Sequence, residues 1–221
     1  MKWLGVLLVL LLTGAITVAA QATVADGLIK LDSPSYEVAF RVTDGSIASI
    51  LDKGTGKNVS TGDANLWTAA LDNNQPLQGD EQFSYALASV SNRLTLIYSG
   101  ALGVTVTVDA SDPQALKLQA VVNNTSGHTI SKFGFPGDLA VAHVQDGLLP
   151  MLPGALLGAE FFQKKMSYSE QYPGVMFADY EALRSDDGRI ALYSQHDPAA
   201  VVQPAYLGFG YDPQAQTSTI T

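Results

Sequence analysis

Cysteine is absent from the 221-residue chain. Its absence excludes a disulfide framework, a thiolate nucleophile, a thiolate zinc centre and a lipidated cysteine at a processing point. Charge is sparse at 15% of residues, and the basic side is the sparser: 12 Lys+Arg against 21 Asp+Glu give a formal net charge of −9. A coiled coil is richer in charge than this, and binding a polyanion takes clustered cations that the sequence does not provide. Nucleic acid is therefore excluded as a partner. Histidine is limited to His128, His143 and His196, which are too widely spaced for a local metal motif and are expected in turns or on the surface. A Gly-rich phosphate cradle, a G-x-S-x-G elbow and a dinucleotide fingerprint are all missing, which argues against nucleotide and α/β-hydrolase chemistry. No apolar stripe of helical period runs beyond about two turns, and no fixed-period repeat or low-complexity linker divides the chain.

What the chain has in quantity is apolar residues, 47% of the total, with 20 Gly and 10 Pro spread along its length. That composition fits many short elements joined by turns. At the N-terminus Lys2 precedes an apolar run over 4–12, and Val18-Ala19-Ala20-Gln21-Ala22 follows. A short basic region, an apolar region and an A-x-A-like end form a secretory signal, expected over residues 1–20 and cut after Ala20 or Ala22. Thr13-Gly14 interrupts the run, so it falls short of the roughly 20 residues of a spanning helix. The expected product is secreted or periplasmic, without a membrane attachment, and its length of about 200 residues suits one β domain over 21–221.

The mature part reads as a succession of strands. Tyr36, Val38, Phe40 and Val42 share one face at period two, Asp44-Gly45 supplies the residues of a tight hairpin turn, and 46–51 returns as its partner. Further strands are expected at 28–31, 66–71, 83–90, 93–98, 104–108, 116–122, 130–135, 190–193 and 205–211, separated by turns at sandwich-like spacing. The predicted class is all-β, an antiparallel β-sandwich. One stretch, 146–180, breaks the rhythm and reads as a long insertion, either functional or packed as an extended cover.

Candidate chemistry gathers around that insertion. Glu160, Glu170, Asp179, Glu181 and Asp197 are the carboxylates available, and glycosidic hydrolysis needs two of them facing each other across the bond. Sequence spacing alone does not pair them. Asp72-Asn73-Asn74 and Asp186-Asp187-Gly188 offer oxygen ligands for calcium, but neither follows the calcium-loop pattern, and no cofactor or metal is expected. Trp67, Phe161, Phe162, Tyr168, Tyr172, Phe177 and Tyr180 have flat apolar faces suited both to cores and to sugar recognition. For each the core role has precedence, and Tyr168 and Tyr172, flanked by polar residues and Pro173-Gly174, are the two expected at the surface.

The hairpin Tyr36-Glu37-Val38-Ala39-Phe40 through Asp44-Gly45-Ser46-Ile47-Ala48-Ser49-Ile50-Leu51-Asp52-Lys53-Gly54-Thr55-Gly56-Lys57 resembles the first hairpin of galactose-mutarotase-like β-supersandwich domains. Residues 116–124, followed by Ile130-Ser131-Lys132-Phe133-Gly134-Phe135-Pro136-Gly137, are similar to the paired strands on the concave sheet of such domains. Tyr172-Pro173-Gly174 and Gly188-Arg189-Ile190-Ala191-Leu192-Tyr193-Ser194-Gln195-His196-Asp197 resemble the later part of secreted glycosidases whose catalytic (β/α)8 barrel follows the sandwich. The histidine pair and glutamate of a true mutarotase have no counterpart among His128, His143 and His196, so the resemblance does not imply mutarotase activity. It implies a carbohydrate-binding and scaffolding N-terminal domain of a secreted glycoside hydrolase. On this reading the sandwich is incomplete at its C-terminus, its hydrolytic residues lie on a downstream catalytic domain in cis, and an oligo- or polysaccharide is the partner. Substrate contacts are then expected from Tyr168, Tyr172, His196 and Asp197. Two alternatives stay open: a free-standing carbohydrate-binding or epimerase-like sandwich, and a secreted structural or adhesive sandwich.

Overall fold

The period-two alternation carries directly into the computed structural model, which describes residues 22–60, 65–79, 82–88, 91–137, 139–151, 155–158, 160–163, 166–178, 180–193, 205–212, 214 and 217–220. Five strands come first: β1 (Thr23–Ala25), β2 (Leu28–Asp32), β3 (Tyr36–Arg41), β4 (Ile47–Asp52) and β5 (Lys57–Ser60). They form an antiparallel meander in sequence order. Register sets their inner face, since Leu31 lies opposite Val38, Ile29 opposite Phe40, and Phe40 opposite Ile47, and all five side chains are buried. The expected hairpin forms with Gly45 at φ +71°, a conformation that glycine adopts without a Cβ penalty. Val42, expected at the end of the strand, belongs instead to the turn, and its N–H donates to the Gly27 carbonyl over 3.0 Å.

A hairpin of β6 (Thr68–Leu71) and β7 (Pro76–Gln78) follows, and then a second meander of β8 (Gln82–Leu87), β9 (Arg93–Ser99), β10 (Leu102–Asp109) and β11 (Lys117–Asn124). β12 (Ile130–Gly134) returns to pair with β6. The rest of the chain supplies β13 (Leu139–Ala142), β14 (Val144–Leu149), β15 (Ala155–Leu157), a 3-10 turn at Phe161–Gln163, β16 (Met166–Tyr172), β17 (Tyr180–Ser185), β18 (Arg189–Tyr193), β19 (Ala205–Asp212) and β20 (Thr217–Ile220). These assemble into two antiparallel sheets of order β13-β20-β19-β16 and β15-β14-β17-β18. β5 and β13 are in contact, which brings the first sheet against the β13-β20-β19-β16 sheet. The all-β, antiparallel, sandwich-like class read from the sequence is the class observed. Among the described residues no helix is long and apolar enough to cross a membrane.

The stretch 146–180 is not a long loop. It contributes most of β14, all of β15 and β16, and the first residue of β17. Its alternation is disguised, because the inward positions include Gly147 on β14 and, just beyond, Glu181 on β17 in place of apolar residues. The spacing also differs from a simple meander. β16 does not pair with its sequence neighbours but with β19, Tyr168 lying opposite Phe209 and Glu170 opposite Leu207.

One core serves all the sheets. Along β10 the residues Leu102, Val104, Val106 and Val108 are fully buried, and along β9 Leu94, Leu96 and Tyr98 face the same way. Burying each large apolar side chain of this kind contributes about 1.5–3 kcal/mol. An aromatic cluster fills the space beneath: Trp67 stacks on Phe133 at 6.0 Å between ring centroids and meets Tyr98 edge-on at 5.8 Å, while Phe83 tilts against Tyr98 at 5.2 Å. Such geometries contribute about 0.5–1.5 kcal/mol per pair beyond area alone.

Close backbone approach at Gly137 seals the end of this cluster. Gly137 has φ +77°, and a Cβ there would collide with the carbonyl oxygen of Asn65, whereas Gly127, also at φ +77°, has open space where its Cβ would stand. Gly137→Ala is expected to lower the unfolding free energy by more than about 2 kcal/mol, combining left-handed strain with a backbone clash, and Gly127→Ala by about 1 kcal/mol from strain alone. Urea titration of the two variants checks this, and equal losses would show that the Asn65 contact does not constrain the fold.

Candidate functional site

The tyrosines named from sequence fall on β16. Alternation places Tyr168, Glu170 and Tyr172 on one face of that strand, with Ser167 and Ser169 on the other. Tyr168 and Tyr172 are half-buried and pack their rings against the core, so they are less exposed than their polar flanks predict. Phe177 and Tyr193, each 55% exposed, are the more open aromatics. The Tyr168 hydroxyl donates to Glu170 Oε1 over 2.7 Å and lies 2.9 Å from Met151 Sδ. The hydrogen bond to the Glu170 carboxylate, followed by burial, holds the phenol above its ordinary pKa. The result is a strand face with two aromatic rings and a fixed carboxylate–hydroxyl pair between them, about 13 Å from end to end at strand rise. His196 and Asp197, the other two residues expected to touch substrate, lie outside the described residues, as does Asp179.

Of the remaining carboxylates, Glu160 is exposed and Glu181 is fully buried. Glu181 points inward from β17 beside Leu183, directly across from Leu192 on β18. Among the described residues neither carboxylate oxygen has a hydrogen-bond partner. Desolvation alone pushes its pKa up to about 9, so the side chain is a neutral acid at physiological pH.

A groove of about 550 Å³ opens between β11 and β18. Its walls are Lys117, Leu118 and Gln119 on one side and Ala191, Leu192 and Tyr193 on the other, with Arg93, Thr107, Asp109 and Leu116 completing the lining. Register lines up Arg93, Asp109 and Lys117 across β9, β10 and β11, a charge sequence of plus, minus, plus. Asp109 accepts from Arg93 at 2.9 Å (Nε) and 2.8 Å (Nη2) through one oxygen and from the Ser111 N–H at 2.9 Å through the other. Burial acts to raise the Asp109 pKa, but the hydrogen bonds from Ser111 and Arg93 outweigh it and hold the carboxyl below its usual range. Lys117 is left with a looser partner, Asp112 at 3.8 Å.

The acidic turns weighed for calcium are engaged with donors of the protein itself. Asp72 accepts from the Thr129 N–H at 3.2 Å and faces His128 Nδ1 at 3.0 Å, and Asp187 pairs with Lys57 at 2.9 Å. Among the described residues no three His, Asp or Glu side chains converge as a metal-ligand group. His128 and His143 are exposed, as expected. The sequence reading placed Tyr193 on a strand without marking it and passed over Arg93, Asp109 and Lys117, which come together only through strand register. Compared with protein-family models and with curated proteins, the chain matches none.

The buried acid has a calculable signature. The native state keeps its proton up to about pH 9, whereas the unfolded chain releases it near the ordinary glutamate value of 4.5. Between those limits the native state binds more protons, so stability falls as pH rises, by about 1.4 kcal/mol per pH unit for one proton. Asp44, Asp72, Asp109, Asp146 and Asp187 have lowered pKa values and titrate below this window. Thermal melts of the wild type from pH 5 to 9 are expected to show a steadily falling midpoint, and Glu181→Met, which removes the proton and preserves bulk, is expected to flatten the curve. Parallel curves for the two proteins would mean that the carboxyl is solvated.

Proposed function

We propose that the chain is a carbohydrate-binding and scaffolding sandwich of a secreted glycoside hydrolase, and that it holds an oligosaccharide along the half-buried face of β16 that carries Tyr168, Glu170 and Tyr172. The single observation that carries this reading is the placement of Tyr168, Glu170 and Tyr172 on one strand face, with the Tyr168 hydroxyl fixed by the Glu170 carboxylate. Aromatic faces pack on the C–H surface of a sugar, and a prepositioned carboxylate accepts from its hydroxyls, so apolar and polar recognition alternate at the spacing of an extended ligand. Glu181 is fully buried, which suits a structural role for it and leaves the hydrolytic pair to a catalytic domain that follows in cis. His196 and Asp197, which follow β18 in the sequence, remain part of this reading as substrate contacts.

Calorimetric titration of the mature chain with a panel of neutral and acidic oligosaccharides tests the proposal. One member is expected to bind, with Tyr168→Ala and Tyr172→Ala each weakening the affinity about tenfold, equivalent to the 1–1.5 kcal/mol of one lost aromatic face. Because both rings also touch the core, Tyr168→Phe serves as the fold-preserving variant, and it is expected to weaken binding severalfold without lowering the thermal midpoint. A flat response across the panel would overturn the reading in favour of a structural sandwich.

A further inference from the structure

The groove between β11 and β18 has a property that the β16 face lacks: it is lined by the edges of two strands. A cavity that touches three consecutive residues of a strand touches both of its faces in turn, and so meets the strand edge-on. Residues 117–119 and 191–193 both line the groove in this way. Among the described residues β11 pairs only with β10 and β18 only with β17, so each strand has an edge whose backbone N–H and C=O groups are unpaired, and residues of both edges line the same groove.

The two edges also agree in facing. Leu118 and Leu192 both pack against the common core, while Lys117 and Tyr193 both turn outward. The seam is incompletely covered: the inward residues of β10 are fully buried, but Leu118 and Leu192 on either side of the gap are only half-buried. From these observations we propose that the groove is an acceptor site for an extended polypeptide segment of another protein, which enters as a strand between β11 and β18 and joins the β8–β11 sheet to the β15-β14-β17-β18 sheet. Such a strand hydrogen-bonds on both sides, as a central strand does, over about 10 Å of each edge. Its inward residue sits between Leu118 and Leu192. Its outward neighbour sits beside Lys117, whose nearest carboxylate is 3.8 Å away, so an acidic residue there completes the charge sequence across the sheet. Proline is excluded, because a strand paired on both edges uses every N–H. A saccharide offers no N–H groups at two-residue spacing, and a second copy of this chain brings its net charge of −9 against an equal charge.

Amide hydrogen exchange on the whole mature chain tests the proposal. The probe is a capped eight-residue peptide alternating Val and Thr, with one outward Thr replaced by Glu. Saturating peptide is expected to slow exchange at least about tenfold at alternate amides within 117–119 and, simultaneously, within 191–193, while β16 is unchanged. Lys117→Glu is expected to weaken peptide binding about tenfold, and a peptide carrying Lys in place of Glu is expected to recover it. Protection of one edge only, or of neither, overturns the proposal. So does protection of both edges by an oligosaccharide, or by raised protein concentration without peptide, since the occupant would then be a sugar or a second copy.

Discussion

The alternation of side chains along β9 and β10 is the constraint on which the rest of the structure depends. Leu94, Leu96 and Tyr98 on one strand and Leu102, Val104, Val106 and Val108 on the next commit a whole sheet face to the core. Because strand side chains have a period of two, slipping this pair by one residue would expose every one of them. The register that buries these residues also places Arg93, Asp109 and Lys117 in line on the outer face and turns Leu118 inward on β11. The charged wall of the groove is thus a consequence of the core, fixed by the same hydrogen-bond ladder, and it cannot move without unpacking the valines beneath it.

The β15-β14-β17-β18 sheet is governed by a different balance. Three of its described inward positions are not apolar side chains: Gly147, where a Cβ would crowd Leu183 and Phe162, Ser185, and Glu181, a neutral acid without a partner among the described residues. Gly147 lets the Phe162 ring close over the strand, and Phe162 meets Tyr211 edge-on at 5.7 Å. Glu181 contributes desolvation cost where a leucine would contribute burial, so this sheet is held less by its own face than the β8–β11 sheet is. A sheet that is weaker at the strand next to its free edge gains more from an added partner strand than a saturated one does.

These differences also decide what could be read from the sequence. The hairpin from Tyr36 to Leu51 was legible because Tyr36, Val38 and Phe40 hold the period along β3 and Asp44-Gly45 marks the turn, although the register shifts between Ala39 and Phe40 and Val42 falls in the turn. Strands β9 to β11 were legible for the same reason, since their inward and outward residues alternate. Strands β14 to β17 were not, since Gly147, Glu181 and a run of Pro and Gly occupy the positions where the period would show, and the pairing of β16 with β19 spans residues that no local pattern links. At the candidate sites, Tyr168 and Tyr172 were identified from their flanking residues, which signal exposure, but their half-burial depends on core packing that sequence does not specify. Arg93 and Lys117 are 24 positions apart in a chain where each looks like an ordinary surface cation. Only the two registers that put both opposite Asp109 give them a shared location.

The spacing of the groove walls has a physical origin in the first sheet. Tyr36 on β3 lies opposite Asp52 on β4, and Asp52 opposite Lys57 on β5, so these residues form one end of that sheet. From this end the Tyr36 hydroxyl bonds to the Ala115 carbonyl at 2.9 Å, which fastens the segment leading into β11, and the Asp32 carbonyl accepts at 2.8 Å from the Asn92 side-chain amide, which also donates to the Ala110 carbonyl at 3.0 Å just after β10. From the same end Thr55 donates to the Asp187 carbonyl at 2.9 Å, Lys57 pairs with the Asp187 carboxylate, and Val59 leaves room only for a glycine at 188, which fastens the turn leading into β18. The exposed ion pair and the exposed Thr55 bond on the β18 side add little energy by themselves and fix position, whereas the part-buried Tyr36 and Asn92 bonds contribute about 1 kcal/mol each. One sheet end thus holds both walls of the groove where they begin, two residues before Lys117 and two before Arg189. The two walls of the groove are therefore anchored to one common element, which is what a site that receives a strand between them requires.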